Sequence, residues 1–65
     1  MRTENVIAFY KGTTRAAKAL GIHRSSIYQW GEFVPQERQF EIEVKTGGLL
    51  KSDWTLAKEG MKHNE

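Results

Sequence analysis

The 65-residue sequence contains no cysteine and only one proline. Without cysteine it can form neither the disulfides nor the thiolate metal sites that often support small domains. It also lacks an apolar run approaching the ~20 residues of a transmembrane helix, and its polar start, MRTEN, does not have the pattern of a signal peptide. We therefore expect a cytoplasmic protein with no membrane partner, stabilised by helix packing.

The residue types that usually support catalysis are sparse. His23 and His63 are far apart in the sequence, and no glycine-rich phosphate-binding loop is present. Glu41 and Glu43 form a carboxylate pair, but we expect it to be solvated rather than placed in a cleft. The sequence thus predicts no enzyme, no catalytic residue, no metal site, no cofactor and no small-molecule substrate.

Residues 13–30, TTRAAKALGIHRSSIYQW, predict two short helices joined by a tight turn at Gly21. Glycine adopts without steric cost the left-handed conformation that ends a helix. Apolar side chains recur at helical spacing on one face of each helix: Ala16, Ala17 and Leu20 on the first, Ile27 and Trp30 on the second. Trp30 is expected to pack in the core. This pattern is typical of a helix-turn-helix, whose second helix enters the DNA major groove.

The second helix of this motif carries polar side chains outside its apolar stripe. These are His23, Arg24, Ser25, Ser26, Tyr28 and Gln29. Arginine pairs with guanine, glutamine pairs with adenine, and serine can donate or accept at either. Any amphipathic helix pair shows a similar division, however, so the pattern alone leaves DNA binding and ordinary bundle packing both open.

The charge is distributed unevenly along the chain. Residues 1–30 contain five basic residues and one acid, for a net charge of +4, whereas residues 31–65 contain five basic residues and seven acids, for −2. Lys and Arg side chains that neutralise phosphates supply most nonspecific affinity for DNA. Arg15 and Lys18, on the first helix of the motif, are expected to contact the DNA backbone.

The remaining helix boundaries can be predicted from capping residues. The first helix is predicted over residues 4–10 and the third over 24–30. A helix start favours a side chain that accepts a hydrogen bond from a free amide. The candidates are Thr3 for the first helix, Thr13 or Thr14 for the second, and His23, in place of the usual Ser, Thr, Asp or Asn, for the third. Pro35 can open a fourth helix.

The segment after Pro35 gives conflicting signals. Residues 40–45, FEIEVK, alternate between apolar and polar, which favours a half-buried strand, and Gly47-Gly48 suits a two-residue hairpin turn. A helix over residues 35–46 would instead place Phe40 and Val44 on one face. Periodicity alone favours the strand.

Three segments resemble the Cro repressors of lambdoid bacteriophages, in particular their helical subgroup: RAAKALGIHRSSIYQW, EFVPQERQ and FEIEVKTGGLLKSDW. The resemblance covers about residues 3–54. It implies an all-α fold of five short helices, with the helix-turn-helix formed by helices 2 and 3. Other Cro proteins fold the C-terminal region as a β-hairpin, so an α+β fold is the alternative. We expect a DNA-binding domain over residues 1–56 and a flexible polar tail over 57–65.

The resemblance also implies a function. Cro proteins are sequence-specific transcriptional repressors that bind palindromic operator DNA as dimers in the host bacterial cell and turn off the lysogeny genes. By position, the implied base contacts are His23, Arg24, Ser25, Tyr28 and Gln29, and the implied phosphate contacts are Thr13, Thr14 and Arg15, with Arg38 in addition. A histidine at position 23 departs from the family pattern. A helix-turn-helix antitoxin or protein-interaction module is the alternative function.

A homodimer surface is expected in residues 36–56. The acids concentrated in the C-terminal half would be repelled by phosphate, so DNA is expected to occupy the basic half. Leu49, Leu50, Trp54 and Leu56 are more large apolar groups than a short terminal segment needs, and tryptophan is enriched at interface hot spots. We therefore predict a weak dimer with Leu49, Leu50 and Trp54 at its interface; in the alternative, these side chains cover the monomer core.

Overall fold

The computed structural model describes residues 1–62. Within this range the chain forms five α-helices and no β-strand. The helices are α1 (Thr3–Tyr10), α2 (Thr13–Leu20), α3 (Arg24–Trp30), α4 (Gln36–Lys45) and α5 (Asp53–Lys62). The all-α prediction is confirmed, and the C-terminal hairpin is wrong.

The core lies where the first three helices meet α4. The buried apolar side chains are Met1, Val6, Ala16, Ala17, Leu20, Ile27, Val34 and Ile42. Trp30 is half-buried and packs against this cluster, as the sequence predicted. Ala17 is small and only 5% exposed, which permits the close approach of α2 and α3.

The turn between α2 and α3 depends on Gly21. Its φ of 67° lies in the left-handed region. From that conformation the Ile22 amide donates to the Ala17 carbonyl at 3.0 Å and the Gly21 amide donates to the Lys18 carbonyl at 3.2 Å. The last carbonyls of α2 are thereby satisfied, and α3 starts only three residues later.

The chain segment after α3 is tied to the start of the protein. Arg2 and Phe33 form an isolated antiparallel bridge. Within it the Thr3 amide donates to the Glu32 carbonyl at 3.1 Å, and the Val34 amide donates to the Met1 carbonyl at 3.0 Å. The bridge fixes the path of the chain as it leaves α3.

The buried face of α4 is mostly polar. It consists of Gln39, Ile42 and Thr46, which are 3%, 1% and 6% exposed, whereas Phe40 and Val44 are 42% and 80% exposed. The spacing of three and then four residues is that of one helical face. The strand-like alternation of residues 40–45 was misleading because only one of its three apolar side chains, Ile42, is buried, and the other buried side chains on this face are polar.

Gln39 connects three parts of the chain. Its Nε2 donates to the Val34 carbonyl at 2.8 Å and to the Asp53 carboxylate at 3.3 Å, and its Oε1 accepts from the Asp53 amide at 2.8 Å. A hydrogen bond from the Met1 ammonium, aided by Gln39, holds the pKa of Asp53 below its ordinary value. This buried amide therefore joins α4 to the start of α5.

The start of α5 is capped from two sides. The Ser52 hydroxyl accepts from the Thr55 amide at 3.1 Å, and the Glu43 carboxylate accepts from the Ser52 amide at 2.7 Å. The Ser52 amide is the main group that lowers the pKa of Glu43, and the Thr55 side chain adds to the effect. Glu43 is thus half-exposed to solvent, as expected for a solvated carboxylate, but it also binds the start of α5, which the sequence did not predict.

Two predicted caps are also wrong. α1 is flanked by Arg2, with no side-chain cap, and the Thr3 hydroxyl is buried without a partner. α2 is flanked by Gly12, so neither Thr13 nor Thr14 caps it. If those threonines were the caps, each helix would begin at the following residue. In the structure both helices begin earlier, and Thr3 and Thr13 are their first residues.

The C-terminal end of the chain differs from the expected domain boundary. α5 continues beyond Leu56 to Lys62, so the start of the expected tail falls inside a helix. The flexibility of residues 57–65 stays a prediction, and residues 63–65 lie outside the described residues.

Candidate nucleic-acid interface

Four of the predicted base-contacting residues share one face of α3. Arg24, Ser25, Tyr28 and Gln29 are all exposed, and they form two adjacent rows because residues four apart stack on a helix. His23 is exposed at the start of the same helix. We call these five residues the α3 outer face. Ile27, 1% exposed, anchors the opposite side of the helix in the core.

Hydrogen-bonding groups dominate the α3 outer face, and it contains no acid. The guanidinium of Arg24 and the amide of Gln29 suit the major-groove edges of guanine and adenine, respectively. Tyr28, 66% exposed, adds an aromatic ring and a hydroxyl. A surface of this composition can hydrogen-bond base edges without repelling phosphate.

His23 occupies the N-cap position that the sequence assigned to it. Its Nδ1 accepts from the Ser25 amide at 3.4 Å and lies 3.0 Å from the Ser25 hydroxyl oxygen. An imidazole thus replaces the usual short polar cap, and the Nε2 edge of the ring remains free of protein partners among residues 1–62.

The N-terminus of α2 presents unsatisfied donors. No side chain caps it, and the first amides of an α-helix have no partner within the helix. Thr14 is exposed and Thr13 is half-buried in the same first turn. A helix N-terminus with free amides and hydroxyls favours an oxyanion such as a phosphate.

The cations near α2 and α3 are not neutralised within the described chain. Lys11, Arg15, Lys18 and Arg24 are exposed, and none of the ion pairs found in residues 1–62 includes them. Arg38 differs, because its guanidinium lies 3.3 Å from the Glu41 carboxylate. Each of these four side chains therefore carries a positive charge that no carboxylate of residues 1–62 compensates, whereas the charge of Arg38 is partly compensated.

A second set of exposed side chains lies in α4, α5 and the segment between them. Its large apolar side chains, which we call the C-terminal apolar patch, are Phe40, Val44, Leu49, Trp54 and Leu56. The rings of Phe40 and Trp54 meet edge to face with centroids 6.0 Å apart. Leu49 and Trp54, predicted at a dimer interface, are 75% and 51% exposed.

The patch differs from the predicted interface at four positions. Leu50 is half-buried and packs against the core, so it belongs to the monomer interior. Phe40, Val44 and Leu56 were not assigned to the interface. The four-residue spacing of Phe40 and Val44 already predicted that they would share one face if the segment were a helix, and the structure confirms that it is one.

Within residues 1–62, no three His, Cys, Asp or Glu side chains lie close enough together to hold a metal ion. Among the helices of the same region, none has the length and apolar character needed to cross a membrane.

Comparison with known proteins agrees with this geometry. The P22 Cro family, described as DNA-binding transcriptional regulator Cro, matches residues 2–63. The regulatory protein cro of Salmonella phage P22 is 46% identical over 41 residues, which cover 62% of this chain and 67% of the relative. A repressor protein of the division inhibition gene dicB from Escherichia coli K12 is 32% identical over 54 residues, covering 82% and 71%.

A solved structure is similar over nearly the whole chain. It is that of N15 Cro complexed with consensus operator DNA, and it matches with a TM-score of 0.84 and 36% sequence identity. The match covers 92% of this chain and 98% of that one, so the arrangement of all five helices is shared rather than the helix-turn-helix alone.

Proposed function

Because the chain belongs to the family of Cro DNA-binding transcriptional regulators, we propose that it represses transcription by binding a palindromic operator. In this proposal two copies each insert α3 into the major groove of one half-site. Such half-sites are separated by about 34 Å, one turn of DNA.

One observation supports this function most strongly: the α3 outer face is exposed, rich in groups that bind base edges and free of acids. Helices in ordinary bundles also expose polar side chains, and membership of the Cro family favours the DNA-binding interpretation of this face. Arg24, Ser25, Tyr28 and Gln29 would contact bases, with His23 at the edge of the groove.

The DNA backbone would be held by α2. Its uncapped first turn offers amides and the Thr13 and Thr14 hydroxyls to one phosphate. Arg15 and Lys18 extend from the same helix without a carboxylate partner among residues 1–62. Contacts to phosphate fix the register of the protein, and contacts to bases supply specificity.

The C-terminal apolar patch would hold the second copy. Exposed apolar groups of this size are costly in water and typical of interaction surfaces. The patch lies in the half of the sequence that carries the net negative charge, which favours a location away from DNA. The small surface implies a dimer that is weak in the absence of DNA.

The test is selection of binding sites from a randomised duplex library. We expect enrichment of a palindrome, with affinity for the enriched duplex about 10³-fold or more above that for random DNA. A reporter promoter that contains the palindrome should be repressed in cells. Equal affinity for selected and random duplexes would contradict the proposal.

A further inference from the structure

The contact between His23 and Ser25 fixes the tautomer of the imidazole. A neutral imidazole has one protonated nitrogen and one acceptor nitrogen. The backbone amide of Ser25 can only donate, and it faces Nδ1. Nδ1 is therefore the acceptor, and the ring proton is on Nε2, at the exposed edge of the ring.

The same contact also restricts the Ser25 hydroxyl. Its oxygen lies 3.0 Å from Nδ1, which has no hydrogen in this tautomer, so the hydroxyl donates there and shares the single Nδ1 lone pair with the more distant Ser25 amide. The hydroxyl proton is then used within the protein. An isolated serine can donate or accept, but Ser25 presents only lone pairs to an external partner.

We propose that His23 and Ser25 form a pair of fixed polarity that determines base preference, an inference that depends on the proposed function. His23 offers a donor only, which suits guanine O6 and N7, adenine N7 or thymine O4. Ser25 offers an acceptor only, which suits the amino groups of adenine or cytosine in the major groove. The cap of α3 thus selects which bases its first turn can recognise.

The proposal predicts coupling between two positions of the binding site. Ser25→Ala should lose the preference for a base with an amino group, adenine or cytosine, at one base pair of each half-site. The affinity for the preferred base should fall by about two- to ten-fold, the contribution of one hydrogen bond. His23→Ser retains a preferred capping residue but has no ring to hold the Ser25 hydroxyl. It should alter preference at its own position and also at the position that Ser25 contacts.

Binding-site selection from the randomised library tests this directly, with the wild type, both variants and Ser26→Ala. Ser26 is half-buried on α3 and lies outside the outer face, so its removal should leave the motif unchanged. Melting temperatures confirm that each variant folds. If His23→Ser changes no position, or only its own, the pair does not act as proposed. A change confined to the position that Ser25 contacts would mean that Nε2 does not read a base, and it would overturn the part of the proposal that concerns His23.

The tautomer is tested in the free protein by nitrogen NMR of the imidazole at about pH 8. We expect a protonated Nε2 and an unprotonated Nδ1, with the His23 signals identified by their loss in His23→Ser. The opposite tautomer would overturn the proposed polarity of the His23–Ser25 pair, even if the selection yields a defined DNA motif. A chain that enriches no sequence would instead overturn the proposed function, and the role of the pair in recognition with it.

Discussion

At the scale of single residues, α3 separates the exposed side chains that we propose to contact bases from the side chains that pack in the core. Trp30 and Ile27 are turned toward the core, and Arg24 and Gln29 are exposed. The sequence predicted this division, because on a short helix with a clear apolar stripe each position has only one direction available.

Arg24→Ala and Gln29→Ala test that division. Each should weaken binding to the selected operator by about 1–3 kcal/mol and relax preference at one base pair, since the lost side chain contacts a base edge. Fluorescence anisotropy with operator duplexes that differ at single base pairs measures both effects. If both variants distinguish operator from random DNA as well as the wild type does, the assignment is wrong.

At the scale of elements, α2 and α4 contribute cations of different kinds. Arg15 and Lys18 on α2 have no acidic partner among residues 1–62, whereas Arg38 on α4 already pairs with Glu41. A Lys or Arg that neutralises a phosphate releases a counterion condensed on the DNA, and this release produces the salt dependence of binding. An arginine already held by a carboxylate contributes less to it.

We therefore expect Arg15→Gln and Lys18→Gln each to reduce by about one the slope of log affinity against log salt concentration. Both should weaken binding to operator and random DNA alike. Arg38→Gln is the matched control and should change the slope less. A loss confined to the operator would show that α2 contacts bases.

The element that the sequence predicted least well is α4. Its position was set by polar hydrogen bonds between segments distant in sequence, above all those of Gln39 to Val34 and Asp53. Hydropathy does not report such bonds. The caps of α1 and α2 were misjudged for a related reason: a threonine near a helix start can be inside the first turn, and only the backbone conformation decides which residue is the cap.

The Glu43 carboxylate at the start of α5 makes stability depend on pH. Its pKa is lowered in the folded state, so its contribution is fully present above the ordinary glutamate pKa of about 4.3 and is lost as pH falls toward the folded value. The difference in unfolding free energy between wild type and Glu43→Gln should be largest above about pH 5 and shrink in acid.

Urea denaturation at a series of pH values measures that difference. Glu41→Gln removes the same charge from the same helix, but no contact found for Glu41 involves a backbone amide, and it supplies the background for comparison. A difference for Glu43→Gln that stays constant with pH would contradict the role of the ionised carboxylate.

At the scale of the whole molecule, the proposed function assigns the cations and the α3 outer face to DNA and the C-terminal apolar patch to a second copy. Leu49→Ser and Val44→Asp should weaken self-association, because both side chains are more than 70% exposed and contribute little to the monomer core. Phe33→Ser removes an exposed apolar group outside the patch and should leave association unchanged.

Sedimentation equilibrium at rising protein concentration measures the self-association of the wild type and the variants, with and without operator duplex. The variants should also bind a full palindrome less cooperatively while binding a single half-site normally. A wild-type chain that stays monomeric at about millimolar concentration, and binds only half-sites, would rule out the dimer.

The polar interior of α4 has a consequence for how this chain can diverge. Phe40, Ile42 and Val44 sit at alternate positions, so the same apolar residues would line one face of a strand. The helix is favoured by hydrogen bonds of Gln39, Glu43 and Thr46. Substitutions confined to those three polar sites would weaken the attachment of α4 to Val34, Leu50 and Ser52 and leave every apolar residue in place. The polar positions of this segment, rather than its apolar ones, therefore distinguish the helix from the strand that its alternation would suit, and none of them lies in the helix-turn-helix.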